Sequence, residues 1–158
     1  MNKSNFSSNI FLYSILFQMA SQYIVVVGCG RLGSILASRL SSQGNSVVVI
    51  DPHESSFSNL SSDFSGFQIT GDASEIEILR SAKVDQADCL LAVTDKDNIN
   101  LMVTQIAKQI FQTSIVLARV FDPAREKIYR DFGIATISPT QLSADAFIAN
   151  LPSSTIET

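Results

Sequence analysis

The sequence predicts an α/β domain in which a parallel β-sheet is covered by helices on both faces. Short, uninterrupted runs of β-branched apolar residues alternate with stretches of helical periodicity, which is typical of strands buried on both faces. The length of 158 residues fits one domain. Charged residues make up 16% of the chain, which excludes a disordered or coiled-coil protein. The net charge of −4 argues against a nucleic-acid partner.

The first half of the chain predicts three strands and three helices. The helix at 31–43 has its larger apolar residues on one side, namely Leu32, Ile35, Leu36 and Leu40. In the third helix, Ser74 is expected at the N-cap, with Glu77 completing a capping box. The expected elements, in order, are strand 23–28, helix 31–43, strand 47–50, helix 55–64, strand 67–70 and helix 74–82.

The second half repeats the alternation. One helix carries apolar residues at helical spacing, and these are Ile99, Met102, Val103, Ile106 and Ile110. The expected elements are strand 89–94, helix 97–111, strand 114–119, helix 123–132, strand 134–137 and helix 140–151. Six strands alternating with helices predict a single Rossmann-type, doubly wound domain with strand order 3-2-1-4-5-6.

A glycine-rich loop follows the first strand directly and opens the first helix. It reads Gly28-Cys29-Gly30-Arg31-Leu32-Gly33, which is the G-x-G-x-x-G pattern in the setting where it binds dinucleotides. The first glycine permits the tight turn, the second lets a phosphate approach the backbone, and the third lets the helix pack closely on the strand. The N–H groups of the helix start then meet the phosphate. A glycine turn kept for packing alone is the alternative.

Two charged residues extend this candidate site. Asp51 ends the second strand, just before Pro52, where a carboxylate can accept both ribose hydroxyls and would repel the 2′-phosphate of NADP. Arg31 lies inside the loop, so that its guanidinium can fold over bound phosphates. The alternative for Arg31 is a solvated side chain at the start of a helix.

Three further candidates follow later strands. Asp72 could reach the adenine edge, or it could serve only a turn before the next helix. Thr94 closes the fourth strand beside the crevice where the strand order reverses. Arg119 closes the fifth strand and points either at the far end of a ligand or at a neighbouring subunit.

The sequence offers neither a convincing catalytic set nor a metal site. His53 is the single histidine, and Cys29 and Cys89 are far apart, so we expect no zinc site and read both thiols as small buried residues. Asp95 and Asp97 are paired carboxylates, which we interpret as solvated groups favouring the start of a helix.

The N-terminal 22 residues differ from the rest of the chain. An apolar run at 10–17 follows Lys3, and it is about half as long as a membrane-spanning helix. We expect residues 1–22 to be a disordered or non-native extension rather than an export signal, with Met19 as a possible start. Residues 152–158 are expected to form a polar tail.

Taken together, the motifs resemble the N-terminal domain of the RCK family, the regulators of K⁺ conductance, also called TrkA-N. The resemblance covers residues 23 to about 151. As an ordered set the motifs are specific, although the glycine loop alone is not. The matching stretches are Val25–Gly33, Val49–Asp51, Gly71–Ser74, Ala92–Asn100, Ala118–Pro123 and Gly133–Pro139.

The resemblance implies a ligand-sensing regulator on the cytoplasmic side of a K⁺ channel or transporter, not an enzyme. Such domains bind NAD(H), ATP, ADP or AMP, and ligand exchange changes the shape of a dimer-built ring that gates the pore. By position, Gly28, Gly30, Arg31 and Gly33 would hold phosphates and Asp51 the ribose. Asp72 and Ala73 would contact adenine, and Arg119 the phosphates or the far end; Cys29, Leu32, Pro52 and Thr94 complete the candidate set.

Two departures from the family pattern qualify this expectation. The family usually continues into a smaller second domain, whereas this sequence ends at Thr158. Some ATP-binding members carry a metal-binding acid after the proline of the sixth strand, but here Thr140 follows Pro139, so no metal is expected.

The last helix, 140–151, is apolar around more than one face, which is typical of a buried or partner-covered helix. In the family this helix crosses to the neighbouring subunit, which implies a homodimer or ring. Packing on its own sheet is the alternative. For the whole chain, the alternatives to a nucleotide-sensing regulator are a small NAD-dependent oxidoreductase, or its cofactor-binding half, and a subunit that keeps the fold without binding nucleotide.

Overall fold

The centre of the molecule is a six-stranded parallel sheet, described in a computed structural model that covers residues 21–151. Its strand order is 3-2-1-4-5-6, which confirms the predicted doubly wound topology. The strands are β1 (Tyr23–Val27), β2 (Ser46–Asp51), β3 (Phe67–Thr70), β4 (Cys89–Ala92), β5 (Ile115–Arg119) and β6 (Ala135–Ile137). Within the described part of the chain, no helix is long and apolar enough to cross a membrane.

Five α-helices connect and flank the strands. They are α1 (Arg31–Ser42), α2 (Ile76–Ser81), α3 (Asp97–Gln109), α4 (Glu126–Asp131) and α5 (Pro139–Ala149). Short 3-10 helices span Glu54–Asn59, Val84–Gln86 and Pro123–Arg125. Each face of the sheet has its own apolar core, because successive side chains of a strand point to opposite faces. In β1, Val25 and Val27 pack with one core and Ile24 and Val26 with the other.

Three predicted helices are shorter than expected. The predicted helix at 55–64 is only the 3-10 helix Glu54–Asn59, because its serines bond to the local backbone, as Ser58 does to the carbonyl of Ser55. The predicted helix at 74–82 begins at Ile76, and that at 123–132 is a 3-10 turn followed by α4.

The predicted apolar faces of α1 and α3 are partly wrong. Ile35 of α1 is 50% exposed, Met102 of α3 is 37% exposed, and Ile110, which directly follows α3, is 56% exposed. Val103 is buried as predicted, but the other buried residues of the two helices are small or polar: Gly33, Ser34, Ala37 and Ser41 in α1 and Asp97, Asn100, Thr104 and Ala107 in α3. Close approach of a helix to a sheet requires small side chains at the contact, which a count of large apolar residues does not detect.

Helix α5 projects away from the rest of the described chain. All residues from Thr140 to Leu151 are exposed, so packing on its own sheet is excluded for the single chain. Ser138 caps the helix, since its hydroxyl accepts the N–H of Gln141. The predicted extension, apart from Ser21 and Gln22, and the predicted tail at 152–158 lie outside the described residues.

Candidate functional site

A crevice of about 740 Å³ opens at the carboxyl edge of the sheet. It lies at the point where the strand order reverses, between β1 and β4, because β1 leads to β2 on one side and the chain returns to β4 on the other. In open α/β sheets this is the position where ligands bind. The crevice is lined by the ends of β1, β2 and β5 and by the segments that follow β1, β2, β3, β4 and β5.

The glycine loop forms the floor of the crevice. Gly28 has a φ of +100°, and a Cβ there would lie 3.0 Å from the backbone nitrogen of Thr94. Gly33 allows α1 to pack against the loop, since a Cβ would lie 1.8 Å from the carbonyl oxygen of Gly28. By contrast, a Cβ on Gly30 would have no atom of the described residues within 4 Å. The space above Gly30 is therefore open to a group that approaches the backbone.

Helix α1 begins at this open space without a side-chain cap. Gly30 occupies the N-cap position, no side-chain cap is formed by the described residues, and the first turn contains no acidic residue. The first N–H groups of a helix have no partner inside the helix and carry its positive end. The start of α1 can therefore accept an anion.

Asp51 connects the end of β2 to the glycine loop. It is buried, and its Oδ2 accepts the backbone N–H of Cys29 at 2.8 Å, while Oδ1 accepts the N–H of His53 at 2.9 Å. A carboxylate oxygen has two acceptor positions, so each oxygen keeps one for a further donor. Asp51 thus fixes the loop and can still accept hydroxyl groups from the crevice.

Three cationic side chains line the crevice: Arg31, Lys96 and Arg119. None of them forms an ion pair with a carboxylate among the described residues. The Nε of Arg119 is buried and has no hydrogen-bond partner in the described chain, and the guanidinium carbon lies 5.9 Å from the centre of the Phe121 ring. Buried polar groups are nearly always paired, so this nitrogen indicates a site for an anion.

The segment after β3 supplies the opposite wall. Asp72 and Ala73 line the crevice there. Ser74 does not cap α2 as predicted; its N–H donates instead to Oδ1 of Asp72 at 2.8 Å, and Glu75 precedes the helix without a side-chain cap. The hydrogen bonds from Ser74 lower the pKa of the Asp72 carboxyl, which keeps this exposed group ionised.

The crevice contains all the predicted site residues except Cys29 and Gly33. Those present are Gly28, Gly30, Arg31, Leu32, Asp51, Pro52, Asp72, Ala73, Thr94 and Arg119. Cys29 is fully buried within the loop, and burial, with the charge of Asp51 adding to it, raises the pKa of its thiol to about 11. Its side chain is therefore an inert packing group, and Gly33 serves helix packing.

Sequence reasoning missed other residues of the crevice. His53, Lys96 and Phe121 line it, and each lies two to four positions beyond a strand end. No motif marks these residues in the sequence. Their place just after the carboxyl ends of predicted strands could have identified them. The interpretation of Asp97 as a solvated group is wrong: it is buried and accepts the N–H groups of Phe121 at 2.7 Å and Asp122 at 3.1 Å. It therefore fixes the segment after β5.

The sequence matches the TrkA-N domain family over residues 24–139, which is more than half of the chain. The chain belongs to the TrkA-N family. One relative is the Trk system potassium uptake protein TrkA of Streptomyces coelicolor, 38% identical over 129 residues, covering 82% of this chain and 58% of the relative. Another, the TrkA homolog of Pyrococcus horikoshii, is 31% identical and is covered to 59%. This TrkA-N chain thus spans about three fifths of the length of these relatives.

Solved structures share the fold of this TrkA-N domain. The TrkA-N domain of the inner membrane protein ybaL from Escherichia coli has a TM-score of 0.74 at 18% identity, covering 85% of this chain and 99% of that one. The Kef CTD of Shewanella denitrificans in its AMP-bound form has a TM-score of 0.68 at 22% identity, covering 85% of each chain. GsuK structures bound to NAD and to ADP have TM-scores of 0.63 and 0.65, each at 19% identity, and cover 75% and 79% of this chain and 22% and 33% of theirs.

No group of three His, Cys, Asp or Glu side chains in residues 21–151 is placed to hold a metal ion. Asp95 and Asp97 border a second, more open depression with Asp122 and Arg125. In that depression the Asp97 carboxylate is already used by two backbone N–H groups, and Arg125 lies 3.8 Å from Asp122. Asp97 and Asp122 are therefore part of the fold's own bonding.

Proposed function

We propose that this domain binds NAD(H) or an adenine nucleotide in the crevice and acts as the nucleotide-sensing regulatory domain of a K⁺ channel or transporter. One observation carries the proposal. A helix start without a side-chain cap, an open glycine, a carboxylate with free acceptor positions and three cations without an ion pair in residues 21–151 all line one crevice. Membership of the TrkA-N family supports the role in potassium transport, as do the names of the relatives. In this role the domain regulates and does not catalyse.

In the proposed binding mode, the phosphates lie over Gly30 at the start of α1, where Arg31 adds its charge. The ribose hydroxyls donate to the free acceptor positions of Asp51. The adenine lies toward Asp72 and Ala73, and Arg119 meets the far anionic end. The carboxylate of Asp51 disfavours a ligand with a 2′-phosphate, because the two charges would repel. The AMP-, ADP- and NAD-bound states of structures with this fold support such ligands.

The proposed regulation works through a dimer. Phe147 and Ile148 of helix α5 and Leu151 just after it are each at least 67% exposed, and a second copy of the chain would cover them. A ligand shifts the shape of such a dimer only if it binds the two shapes with different affinity, and coupling of this kind is typically about 1–3 kcal/mol. The domain would lie in the cytoplasm, attached to the inner face of the membrane through its pore-forming partner.

Parallel calorimetric titrations of the full chain with NADH, NAD, ATP, ADP and AMP test the proposal, with NADP as the matched control. We expect saturable binding of at least one ligand and weaker binding of NADP than of NAD. If none of the five produces heat or shifts the unfolding temperature, nucleotide sensing is wrong. Turnover of NADH with a carbonyl substrate would instead favour an oxidoreductase.

A further inference from the structure

A buried amide connects the ends of two neighbouring strands behind the crevice. Asn100, in the first turns of α3, is fully buried. Its Oδ1 accepts the backbone N–H of Thr94 at 3.0 Å and the Thr94 hydroxyl at 2.7 Å. Its Nδ2 donates to the carbonyl of Thr94 at 3.1 Å and to the carbonyl of Arg119 at 3.0 Å. Both acceptor positions and both N–H groups of the amide are therefore used.

These partners also fix the orientation of the amide. The backbone N–H of Thr94 can only donate, and the carbonyl of Arg119 can only accept, so the oxygen of Asn100 must face the first and its nitrogen the second. No other side chain of this size offers an acceptor and two donors in this arrangement. An aspartate would place a second oxygen against the two carbonyls.

The two residues that Asn100 holds are both walls of the crevice. The backbone of Thr94 lies directly against Gly28, where a Cβ would meet its nitrogen at 3.0 Å. Arg119 is the last residue of β5. Asn100 thus connects Thr94, which lies against the glycine loop, to the end of β5, which carries Arg119.

The head of Arg119 is the part of this arrangement left without a partner. Its main chain is held by Asn100, its guanidinium lies near Phe121, and its buried Nε has no hydrogen-bond partner among the described residues. Asp97 supports the same segment by accepting the N–H groups of Phe121 and Asp122. The main chain of Arg119 is therefore held from behind, while the side chain lines the crevice with its Nε unpaired in the described chain.

We infer that Asn100 is a positioning residue that holds the Arg119 guanidinium ready for the anionic part of the bound nucleotide. The inference rests on the proposed function. A change of Asn100 should weaken the binding of ligands that carry phosphate and leave the binding of ligands without phosphate nearly unchanged. Preorganised donors lose less freedom on binding, so fixing Arg119 in advance strengthens its bond to an anion.

The test compares Asn100→Asp with Asn98→Asp in the full chain. Asn98 is an exposed residue in the same turn of α3, so its variant introduces the same charge without the buried contacts. Dissociation constants for ADP and for adenosine are measured for each variant and for Arg119→Ala. We expect Asn100→Asp to raise the dissociation constant for ADP about tenfold or more and that for adenosine less than about threefold. Asn98→Asp should change neither dissociation constant.

A double variant separates positioning from a general loss of structure. If Asn100 acts through Arg119, the double variant Asn100→Asp with Arg119→Ala should bind ADP no more weakly than Arg119→Ala alone. Equal weakening of ADP and adenosine, or additive effects in the double variant, overturns the inference. Should Asn100→Asp not fold, Asn100→Ser, which keeps one hydroxyl donor and adds no charge, enters the same comparison.

A measurement without ligand distinguishes failure of this inference from failure of the proposed function. The Nε–H resonance of Arg119 in a nitrogen-15 NMR spectrum should move in Asn100→Asp and stay in place in Asn98→Asp. An unmoved resonance overturns the positioning role whether or not nucleotide binds. A wild-type chain that binds neither ADP nor any other adenine nucleotide overturns the proposed function instead.

Discussion

The carboxylate of Asp51 accepts the backbone N–H of Cys29 at 2.8 Å, and this bond joins the end of β2 to the middle of the glycine loop. The same carboxylate accepts the N–H of His53. Asp51 is therefore part of the folded structure before any ligand arrives. Its role in the loop and its proposed role in ribose binding predict separate effects on stability and on affinity.

Asp51→Ala should lower the free energy of unfolding in the absence of ligand. The variant leaves the buried N–H of Cys29 without an acceptor, which typically costs about 1–3 kcal/mol. Urea unfolding measures the change. His53→Ala is the matched control, because the imidazole is 77% exposed and its loss should change stability by less than about 0.5 kcal/mol. Equal stability of Asp51→Ala and wild type would contradict this account of the loop.

The glycines of the loop should respond in opposite ways to alanine. Gly33→Ala places a Cβ 1.8 Å from the carbonyl oxygen of Gly28, so α1 must move and the chain should lose several kcal/mol of stability or fail to fold. Gly30→Ala meets nothing within 4 Å and should fold normally. Its methyl group nevertheless occupies the space proposed for a phosphate, so nucleotide affinity should fall. A Gly30→Ala variant with unchanged affinity would place the phosphates elsewhere.

Arg31→Ala should weaken the binding of ADP, ATP and NADH about tenfold or more, because one charge-assisted hydrogen bond contributes about 1.5–3 kcal/mol. Adenosine, which has no phosphate, should bind almost as before. Calorimetry of both ligands gives the comparison, with Arg39→Ala as control, since Arg39 lies in the last turn of the same helix. An equal loss of affinity for ADP and adenosine would show that Arg31 does not contact phosphate.

The parts of the fold that local sequence determines were predictable. The strand order follows from the alternation of apolar runs with helices, which predicts a doubly wound parallel sheet. The first two runs end at Gly28 and Asp51, and parallel strands bring their carboxyl ends to one edge of the sheet. Most candidate residues lie in one crevice for the same reason. Whether they bind a ligand stays a prediction.

The parts that depend on distant contacts were not predictable. Nothing around Asn100 in the sequence shows that its amide bonds to Arg119, or that Asp97 accepts from Phe121. Acidic and amide side chains near a helix start ordinarily indicate capping. Only the pairing of β4 with β5 brings the end of β5 within reach of Asn100 and Asp97. The exposure of Ile35 has a similar cause, since the close contact at Gly33 decides which face of α1 packs.

Both thiols should be unreactive in the native chain. Burial, with the charge of Asp51 for Cys29 and of Asp88 for Cys89 adding to it, raises each pKa from 9.0 to about 11. Because the raised pKa belongs to the folded state, the neutral thiols stabilise the fold below about pH 9, and this contribution is lost as the pH rises toward 11. Iodoacetamide at about pH 8 should label neither thiol until denaturant is added. Rapid labelling of the native chain would contradict their burial.

Self-association should depend on the apolar surface of α5. Phe147 is 77% exposed in the single chain, and burying such a side chain against a second copy contributes about 1.5–3 kcal/mol. Phe147→Glu should therefore weaken a dimer by about tenfold or more, as measured by sedimentation equilibrium. Ala146→Glu on the same helix adds the same charge at an exposed position about 100° round the helix from Phe147 and is the control. Because α5 makes no buried contact with the sheet, neither variant should change the unfolding temperature of the monomer. A chain that stays monomeric at all concentrations, or a dimer insensitive to Phe147→Glu, would exclude α5 as the interface.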